Sequence, residues 1–591
     1  MENNESAGKI NFKAQSRLRL TWMAIGFLWL VGFMLGFVGL AQYAQSAGES
    51  LSPLDLAYRL LQLITLESGA LSPPIPWTLE VARFGLPALA AWTVLRAAMH
   101  LFREQARRIA ILFWRNHLIV AGLSRKGFHL ATELAAAGRK VVVIEQDPSH
   151  RLMAACRHHG IVVLVGNATD PSELVRAQIR RAGDIIAVTG DDATNVEVAV
   201  SANRVLQDHS RPPLHCIVHI VNPSLWNLMR CWEIAQGKFD ALKLELFNVY
   251  LRGADTLIDE YDIAEGPPER GTQTPSLLIV GMGRLCEHLV VQVARKWFHL
   301  RRSPDKIEIV VVDPLAAEKL DLLAVRYPAL GTSAQLVPIS IKPTSAAFEK
   351  GEFAAHRNFN LAVIDLPDEE ESLATALTVK RFLSGSSTPV AIHMAHSEGI
   401  HRLLGTLASP RVDEPDLRPF ELVERVCVRD FINQGTHEQL ARALHLAYLE
   451  NRRATSSWDD SDPALVRWEM LPHAIQESNR AQADFIGKLL REAGYDLTLL
   501  ADWSLPPYHF DEQTIEDLAH HEHDRWRDEK QQQGWRYAPG PKSEVNKTNP
   551  ALLAWVELPE DEKEKNRVFV RSWPVILHQA GFKIVPMQIG E

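Results

Sequence analysis

The distribution of apolar and charged positions divides the chain into three zones. Leu20 to Leu40 (LTWMAIGFLWLVGFMLGFVGL) runs for 21 residues without a charge, which is long enough to span a bilayer core. A second apolar run, Phe84 to Leu101, is interrupted by Arg96, and between the two Leu54 to Leu66 (LDLAYRLLQLITL) has helical apolar spacing. From His117 onward, short β-branched runs alternate with helical stretches at intervals of about 25 residues, the pattern of βαβ units in a parallel sheet. After Asp413 that alternation stops and helical periodicity takes over.

Charge orients the first zone. Lys9, Lys13, Arg17 and Arg19 precede the first apolar run, whereas Ala41 to Glu80 carries only Arg59 as a basic residue. The N-terminus is therefore expected on the cytoplasmic side. Arg103, Arg107, Arg108 and Arg115 follow the second run, so its far end is expected inside as well, with Arg96 reaching toward the interface. The predicted layout is a membrane domain over 1–115, with spans at about 20–40 and 84–102 and a short outer helix at 54–66. Span, short helix, loop, span is how a two-helix cation channel is built. The loop that follows reads Glu67-Ser68-Gly69, and the chain has no T-V-G-Y-G segment whose carbonyls would replace the hydration shell of K⁺. An amphipathic surface helix between two anchors is the alternative.

Composition narrows the rest. The chain has 591 residues, enough for about four domains, and with 46% hydrophobic and 23% charged residues it is globular. Its formal charge of −9 gives no general field for nucleic acid. The five cysteines, Cys156, Cys216, Cys231, Cys286 and Cys427, form no C-x-x-C pair and read as reduced core thiols.

Two strand-to-helix turns carry glycine fingerprints. In HLIVAGLSRKG, Gly122 permits the tight turn and Gly127 the close helix packing, while Ser124 takes the place of the middle glycine. The next strand ends at Glu145, where a carboxylate can bond ribose hydroxyls, and later strands end at Gly166-Asn167 and Thr189-Gly190. The pattern repeats in SLLIVGMGRLCEHL, with Gly281 and Gly283 present, Cys286 in the third glycine position, and Asp313 ending the following strand. Cys286 adds bulk there, so this second copy reads equally as a structural one. Asp365 and His393 stand at later strand ends, but no proton donor or substrate domain accompanies these sheets, which argues against hydride-transfer catalysis.

The last zone is an internal repeat. Pro463 to Arg480 (PALVRWEMLPHAIQESNR) and Pro550 to Arg567 (PALLAWVELPEDEKEKNR) are identical at nine of eighteen positions at an offset of 87. Upstream, Thr436 to Tyr448 matches Thr514 to Trp526 at an offset of 78, and the difference is taken up by GWRYAPGPK (Gly534 to Lys542) in the second copy. Each copy is predicted to be two helices joined by a long loop. Trp468 and Trp555 recur in both copies and read as core. Trp535 and Tyr537 occur only in the inserted loop and read as a stacking platform for a planar ligand, with Trp526 nearby and Arg525, Lys542 and Arg567 facing its phosphates. His521 and His523, two apart on a helix, point to different faces and are not read as a metal site.

VAGLSRKG, VVVIEQD, GNATD and AVTGDDATN closely resemble the RCK (regulator of K⁺ conductance), Trk-type NAD-binding domains of bacterial potassium-uptake and channel proteins. LAHHEHDRW, GWRYAPGPK and NPALLAWVELPEDEKEKNR resemble the RyR domain, the repeat named from the ryanodine receptor. The first resemblance implies that Gly122, Ser124, Gly127, Glu145, Asn167 and Thr189 line a site for NAD(H) or another adenine nucleotide, with Gly281, Gly283 and Asp313 as the counterpart in the second sheet. It also implies a ring of paired domains, here guessed as a homotetramer, pulling on pore helices in the cell inner membrane. The second resemblance implies a sensor of a nucleotide-like signal. The expected domains are 116–222 (first RCK sheet), 223–275 (connecting helical segment), 276–412 (second Rossmann-like sheet), 413–500 (degenerate RyR-like repeat) and 501–591 (RyR domain). The expected fold class is α/β plus all-α, with two transmembrane helices, tandem doubly wound sheets and tandem helical repeats. The function read from this is ligand-regulated, potassium-channel-like ion transport. The alternative is a membrane-anchored nucleotide-signal sensor or antiphage effector without selective conduction.

Overall fold

The structure is a computed structural model. It describes residues 2–47, 52–65, 73–101, 109–207, 212–235, 241–261, 263, 275–300, 305–355, 359–383, 388–394, 417–427, 436–454, 464–543 and 545–587. It divides into two compact units, residues 1–113 and 114–591.

The first unit is helical, with α1 (Glu2–Ala47), α2 (Pro53–Ile64) and α3 (Trp77–Leu101). Small residues on α1 let the others approach: a Cβ at Gly36 would stand 2.4 Å from Leu60 Cδ1, and one at Gly39 would stand 2.5 Å from the Leu79 nitrogen. Leu56, Leu60 and Leu63 of α2 pack with Leu40, Leu79 and Leu86. Met23, Phe27, Leu30 and Met34 instead face outward and are exposed. Ser52 and Asp55 cap α2 reciprocally, so the short helix expected at 54–66 forms. The Glu67-Ser68-Gly69 segment lies outside the described residues. Among those residues one segment, Met23–Ser46, is long and apolar enough to cross a membrane. The second expected span falls in α3, a helix that carries Pro87 and Arg96 within its apolar run.

The second unit begins with a six-stranded parallel sheet. Its elements are β1 (Leu118–Ala121), α4 (Arg125–Ala136), β2 (Val141–Glu145), α5 (Met153–His158), β3 (Val162–Val165), α6 (Pro171–Arg176), β4 (Asp184–Ala187), α7 (Asp192–Leu206), β5 (Leu214–His219), α8 (Pro223–Ala235), β6 (Leu242–Phe247) and α9 (Val249–Glu260). Strand order is β3-β2-β1-β4-β5-β6, a doubly wound arrangement that reverses between β1 and β4. The central strands are buried on both faces, as their unbroken β-branched runs require. One expected boundary moves. The segment 223–275, expected as a helical connection, supplies β6, which pairs in register with β5 from Leu214↔Leu242 to His219↔Phe247. Lys243 and Glu245 of β6 are held by ion pairs, with Asp484 and His215.

A second sheet repeats the topology. It comprises β7 (Ser276–Val280), α10 (Arg284–Leu300), β8 (Ile307–Val312), α11 (Ala316–Arg326), β9 (Ala334–Ile339), β10 (Leu361–Ile364), α12 (Glu369–Phe382), β11 (Val390–Met394), β12 (Leu417–Glu421) and α13 (Leu422–Val426), in strand order β12-β11-β10-β7-β8-β9. The boundary expected at 412 moves as well, because β12 pairs with β11 and belongs to this sheet. Ala254, Leu257 and Ile258 of α9 share one buried core with Leu289, Val290 and Val293 of α10, so the two sheets are packed together. Cys156, Cys216, Cys286 and Cys427 are free and buried, and burial pushes the thiols of Cys216 and Cys427 up to about 12.

The C-terminal part consists of α14 (Thr436–Ala454), α15 (His473–Glu492), β13 (Tyr495–Leu499), α16 (Glu512–Gln532), α17 (Glu560–Gln579) and β14 (Phe582–Pro586). Both copies of the repeat contribute to one core: Leu440, Trp468, Ile486 and Leu490 from the first, Leu518, Trp555, Trp573 and Leu577 from the second. Each copy ends in a left-handed glycine, Gly494 (φ +83°) or Gly581 (φ +91°), followed by a strand, and β13 and β14 pair antiparallel. The flanking bonds are reciprocal: Leu500 N–H donates to Gly581 O, and Met587 N–H donates to Gly494 O. The halves are thus related by a local twofold axis, and neither closes its sheet alone.

The two copies differ in what they dock against. At the end of α17, Arg295 of α10 donates to Gln579 O and Arg230 of α8 donates to Ala580 O, with the Arg230 guanidinium 4.5 Å from the centre of the Phe582 ring. Burial and the neighbouring Arg230 pull the Arg295 guanidinium down to about 10, so it stays charged at neutral pH. A Cβ at Gly494, at the equivalent place in the first copy, would meet nothing within 4 Å. Trp503, fully buried, donates its indole N–H to Ser333 Oγ at 3.0 Å and so anchors the same part to the second sheet.

Candidate functional site

The first glycine loop is shaped by close approach. Gly122 has φ +95°, and a Cβ there would stand 2.8 Å from Thr189 Cα; a Cβ at Gly127 would stand 2.2 Å from Gly122 O. Both glycines are therefore required by space, and the first also by backbone conformation. Ser124 is the N-cap of α4: its hydroxyl accepts Gly127 N–H at 3.3 Å and donates to Val188 O at 2.7 Å. The serine thus ties the loop to β4, a role the glycine fingerprint did not reveal.

Glu145, at the tip of β2, accepts Leu123 N–H at 2.7 Å and Asp147 N–H at 3.0 Å. Its carboxylate is thereby fixed beside the loop with lone pairs to spare. Thr189 gives both its N–H and its hydroxyl to Asn195 Oδ1, and buried Asn195 donates in turn to His219 O at 2.9 Å. Sequence reasoning missed Asn195, because its helix carries several other polar residues and only the fold shows this one buried and satisfied. Gly122, Ser124, Gly127, Glu145 and Thr189 come together at the carboxyl edge of the sheet. Asn167 lies at the end of β3, exposed, holding its own turn through Thr169 N–H.

Cations and carboxylates both surround this loop. Arg125 opens α4 and pairs with Glu424 of α13 at 2.8 Å. Burial holds the Lys126 ammonium below its usual range, against the attraction of Asp192. Burial, then the nearby Lys126 and Arg284, push His219 down to about 3, so this buried ring is neutral. A helix N-terminus with two cations on its first turn fits a diphosphate. The glycine approach, the fixed Glu145 and this field together fit an adenine dinucleotide.

The second loop is built differently. Met282 N–H reaches Asp313 Oδ2 at 2.8 Å, as Leu123 reaches Glu145. Asp313 also accepts Leu315 N–H and pairs with Lys319 at 2.9 Å. Burial opposes its ionisation, but these partners outweigh that and hold the carboxyl below the usual range. Gly281 has φ +86°, with a would-be Cβ 2.4 Å from Asp365 O. A Cβ at Gly283 would fall 2.3 Å from Asp365 Oδ2, and that same oxygen accepts Cys286 N–H at 3.3 Å. Asp365 Oδ1 lies 2.7 Å from His393 Nδ1. Gly281, Gly283 and Asp313 are together as expected, yet a carboxylate of the chain fills the loop. These residues do not fit a pyrophosphate, since two unit charges 4 Å apart repel by about 4 kcal/mol at an effective dielectric of 20.

In the C-terminal part the six expected residues separate into two groups. Trp535 and Tyr537 lie on the inserted loop, which turns at Gly534 (φ +85°) and Gly540 (φ +107°); Tyr537 is exposed and Trp535 half-buried. Lys542 and Lys530 place their ammonium groups 5.4 and 6.0 Å from the centre of the Trp535 ring. Arg525 is instead half-buried and held in a fork with Glu522 and Glu529, and Trp526, on the same helix, lies beside the His523 ring. Arg567 stands among Glu516, Glu560 and Glu564, so its surroundings are acidic and its role is internal. The reason is the repeat itself: Arg480 in the first copy makes the same bond to Glu438. His523 Nε2 lies 2.9 Å from Leu553 O, and His521 Nδ1 2.7 Å from Asp517 O.

The chain thus combines two doubly wound sheets, the first with a glycine loop at its carboxyl edge, and a twofold helical repeat. The comparisons specify both parts: residues 118–235 match the TrkA-N domain and residues 502–586 match the RyR domain, so the chain joins a TrkA-N (RCK-type) domain to a RyR domain. Among curated relatives, Potassium channel protein 1 of Methanocaldococcus jannaschii is 28% identical over 109 residues, 18% of this chain and 31% of that protein. A Trk system potassium uptake protein TrkA homolog of Archaeoglobus fulgidus is 33% identical over 88 residues, 15% of this chain and 20% of that one. The chain thus spans about a third or less of these relatives. Among solved structures, the GsuK channel bound to NAD covers 75% of this chain and 85% of its own at 12% identity, with a TM-score of 0.36. GsuK bound to ADP covers 69% of this chain and 96% of its own at 14% identity, with a TM-score of 0.35.

Proposed function

We propose that this chain is a ligand-regulated membrane protein of K⁺ transport. In this reading the N-terminal helices form the membrane part of a homo-oligomer, with four chains as the simplest ring, since two spans cannot enclose a pore. NAD(H) or another adenine nucleotide binds the first sheet, at Gly122, Ser124, Gly127, Glu145 and Thr189, and the RyR part binds a second, nucleotide-like ligand at Trp535, Tyr537 and Lys542. The N-terminus and the soluble domains lie on the cytoplasmic side of the inner membrane. No chemical transformation is assigned to the chain. The observation that carries the reading is the first-sheet glycine loop with Arg125 and Lys126 on the helix it opens, inside a TrkA-N domain that follows an apolar helix of membrane-spanning length.

Regulation requires a ligand to prefer one arrangement of the soluble domains over another. Moving an equilibrium from 1:99 to 99:1 takes a preference of about 10⁴, which four sites supply at about tenfold each. Purified protein in liposomes, assayed for K⁺ and Rb⁺ flux with NAD⁺, NADH, ADP and other nucleotides, tests this. Ligand-dependent flux is expected. Binding without flux, or leakage of large dyes, would instead support the second reading, a membrane-anchored nucleotide-signal sensor or antiphage effector without selective conduction. The absence of T-V-G-Y-G from the sequence favours that alternative.

A further inference from the structure

We infer that the second doubly wound sheet is sealed against dinucleotides by Asp365, so that the chain binds one adenine dinucleotide equivalent, at the first sheet alone. This deepens the proposed function and rests on its assignment of the first sheet.

Backbone bonds align the two loops. Gly122 N–H donates to Ile144 O and Gly281 N–H to Val312 O; Val188 N–H donates to Ala121 O and Asp365 N–H to Val280 O. Asp365 therefore occupies the position of Val188, and Gly283 that of Ser124. In the first sheet the third amide of α4 is capped by the small hydroxyl of Ser124 at 3.3 Å. In the second sheet the equivalent amide, on Cys286, is capped at the same 3.3 Å by the carboxylate of Asp365. Gly283 lacks a side chain because that carboxylate fills the space one would take, 2.3 Å from a would-be Cβ. The middle glycine, usually read as room for a phosphate, here makes room for an aspartate.

The exchange reverses the chemistry of the loop. A helix N-terminus attracts one anion, and in α10 the chain supplies that anion itself. Asp365 is 7% exposed and held on its other oxygen by His393, so it does not swing out to admit a ligand at no cost. Asp313 stands alongside, committed to Met282, Leu315 and Lys319. Cys286 replaces the glycine that gives close packing in the first loop. An incoming pyrophosphate meets a carboxylate where the first sheet offers a hydroxyl.

Equilibrium dialysis of radiolabelled NAD⁺ against the full-length chain in detergent, followed by photolabelling with 8-azido-ADP and peptide mapping, tests this. One equivalent per chain is expected, with label confined to residues 118–222 and binding lost in Glu145→Ala. Two equivalents, label in residues 276–365, or an equivalent that survives Glu145→Ala would overturn the inference. No binding at all would sink the assignment of the first sheet and leave the second closed. The double variant Asp365→Val, Cys286→Gly should raise the stoichiometry toward two, with the first equivalent reporting that it has folded. A stoichiometry that stays at one would show that Asp365 is not what seals the loop. If that variant loses all binding, the mapping on the wild-type chain still decides.

Discussion

Glu438 and Glu516 receive the same two donors, an indole N–H and an arginine Nε–H, in the two halves of the C-terminal part. Their donors, Trp468 with Arg480 and Trp555 with Arg567, are the identities that recur at an offset of 87. Around them the pattern also holds for His445 with Val466 O and His523 with Leu553 O, at 2.8 and 2.9 Å. Duplication has thus preserved a hydrogen-bonded triad together with the core.

The triads differ in exposure, and so in cost. The Glu438 side chain is 6% exposed and that of Glu516 36%. Glu438→Ala strips a largely buried indole of its acceptor and leaves Arg480 to Glu477 alone, and should cost about 2 kcal/mol. Glu516→Ala, compensated by solvent, Glu560 and Glu564, should cost about 1 kcal/mol. Urea melts of the two variants give the order; equal losses would contradict the account.

Gly494 and Gly581 form a second contrast. Both are left-handed, so alanine should cost about 1 kcal/mol at either site from backbone strain alone. At Gly581 the new methyl would also stand 2.6 Å from the Arg295 guanidinium, which is committed to Gln579 O. Gly581→Ala should lose about a further 1 kcal/mol, one hydrogen bond's worth, by displacing that arginine. Thermal melts that rank Gly494→Ala as the worse variant would refute this.

His215 sets a pH dependence. Burial disfavours its charge, but hydrogen bonds to Asp184 at 2.9 Å and Glu245 at 2.8 Å outweigh that and raise it to about 9 from an ordinary value of 6.5. A raised folded value contributes stability that is fully present below pH 6.5 and is lost as pH rises through about 9. The contribution is on the order of 3 kcal/mol. Denaturant melts should therefore weaken between pH 6.5 and 9.5 in the wild-type chain, and much less so in His215→Gln.

Trp535 tests the ligand platform. If Trp535 and its two lysines stack a planar ligand, Trp535→Ala should abolish the flux response to whichever nucleotide of the panel acts there, while NAD⁺ binding measured by dialysis stays unchanged. Equal loss of both would point to misfolding instead.

Strand and helix periods, the two glycine turns and the repeat were legible because each follows from local spacing. Partner choice was not. LKLELF falls within the expected connecting segment, and its place as the sixth strand is set by non-local partners, β5 along its length and Asp484 and His215 at Lys243 and Glu245. YDLTL and FKIVP are too short to read as strands alone, and they pair only with each other across the duplication. Arg567 looked available to a phosphate because its three carboxylate neighbours come from two helices. Gly283 looked like a phosphate cradle because Asp365 lies more than eighty residues away in sequence.

Arg230 and Arg295 come from different sheets, yet both close on the last turn of one helix, at Ala580 and Gln579. During synthesis these two guanidiniums emerge from the ribosome hundreds of residues before the carbonyls that receive them. A chain that stopped short of residue 579 would therefore lack both of these carbonyls, and the two guanidiniums would lose that shared helix end. The last helix of the chain is in this way a clasp across two sheets that were complete long before it.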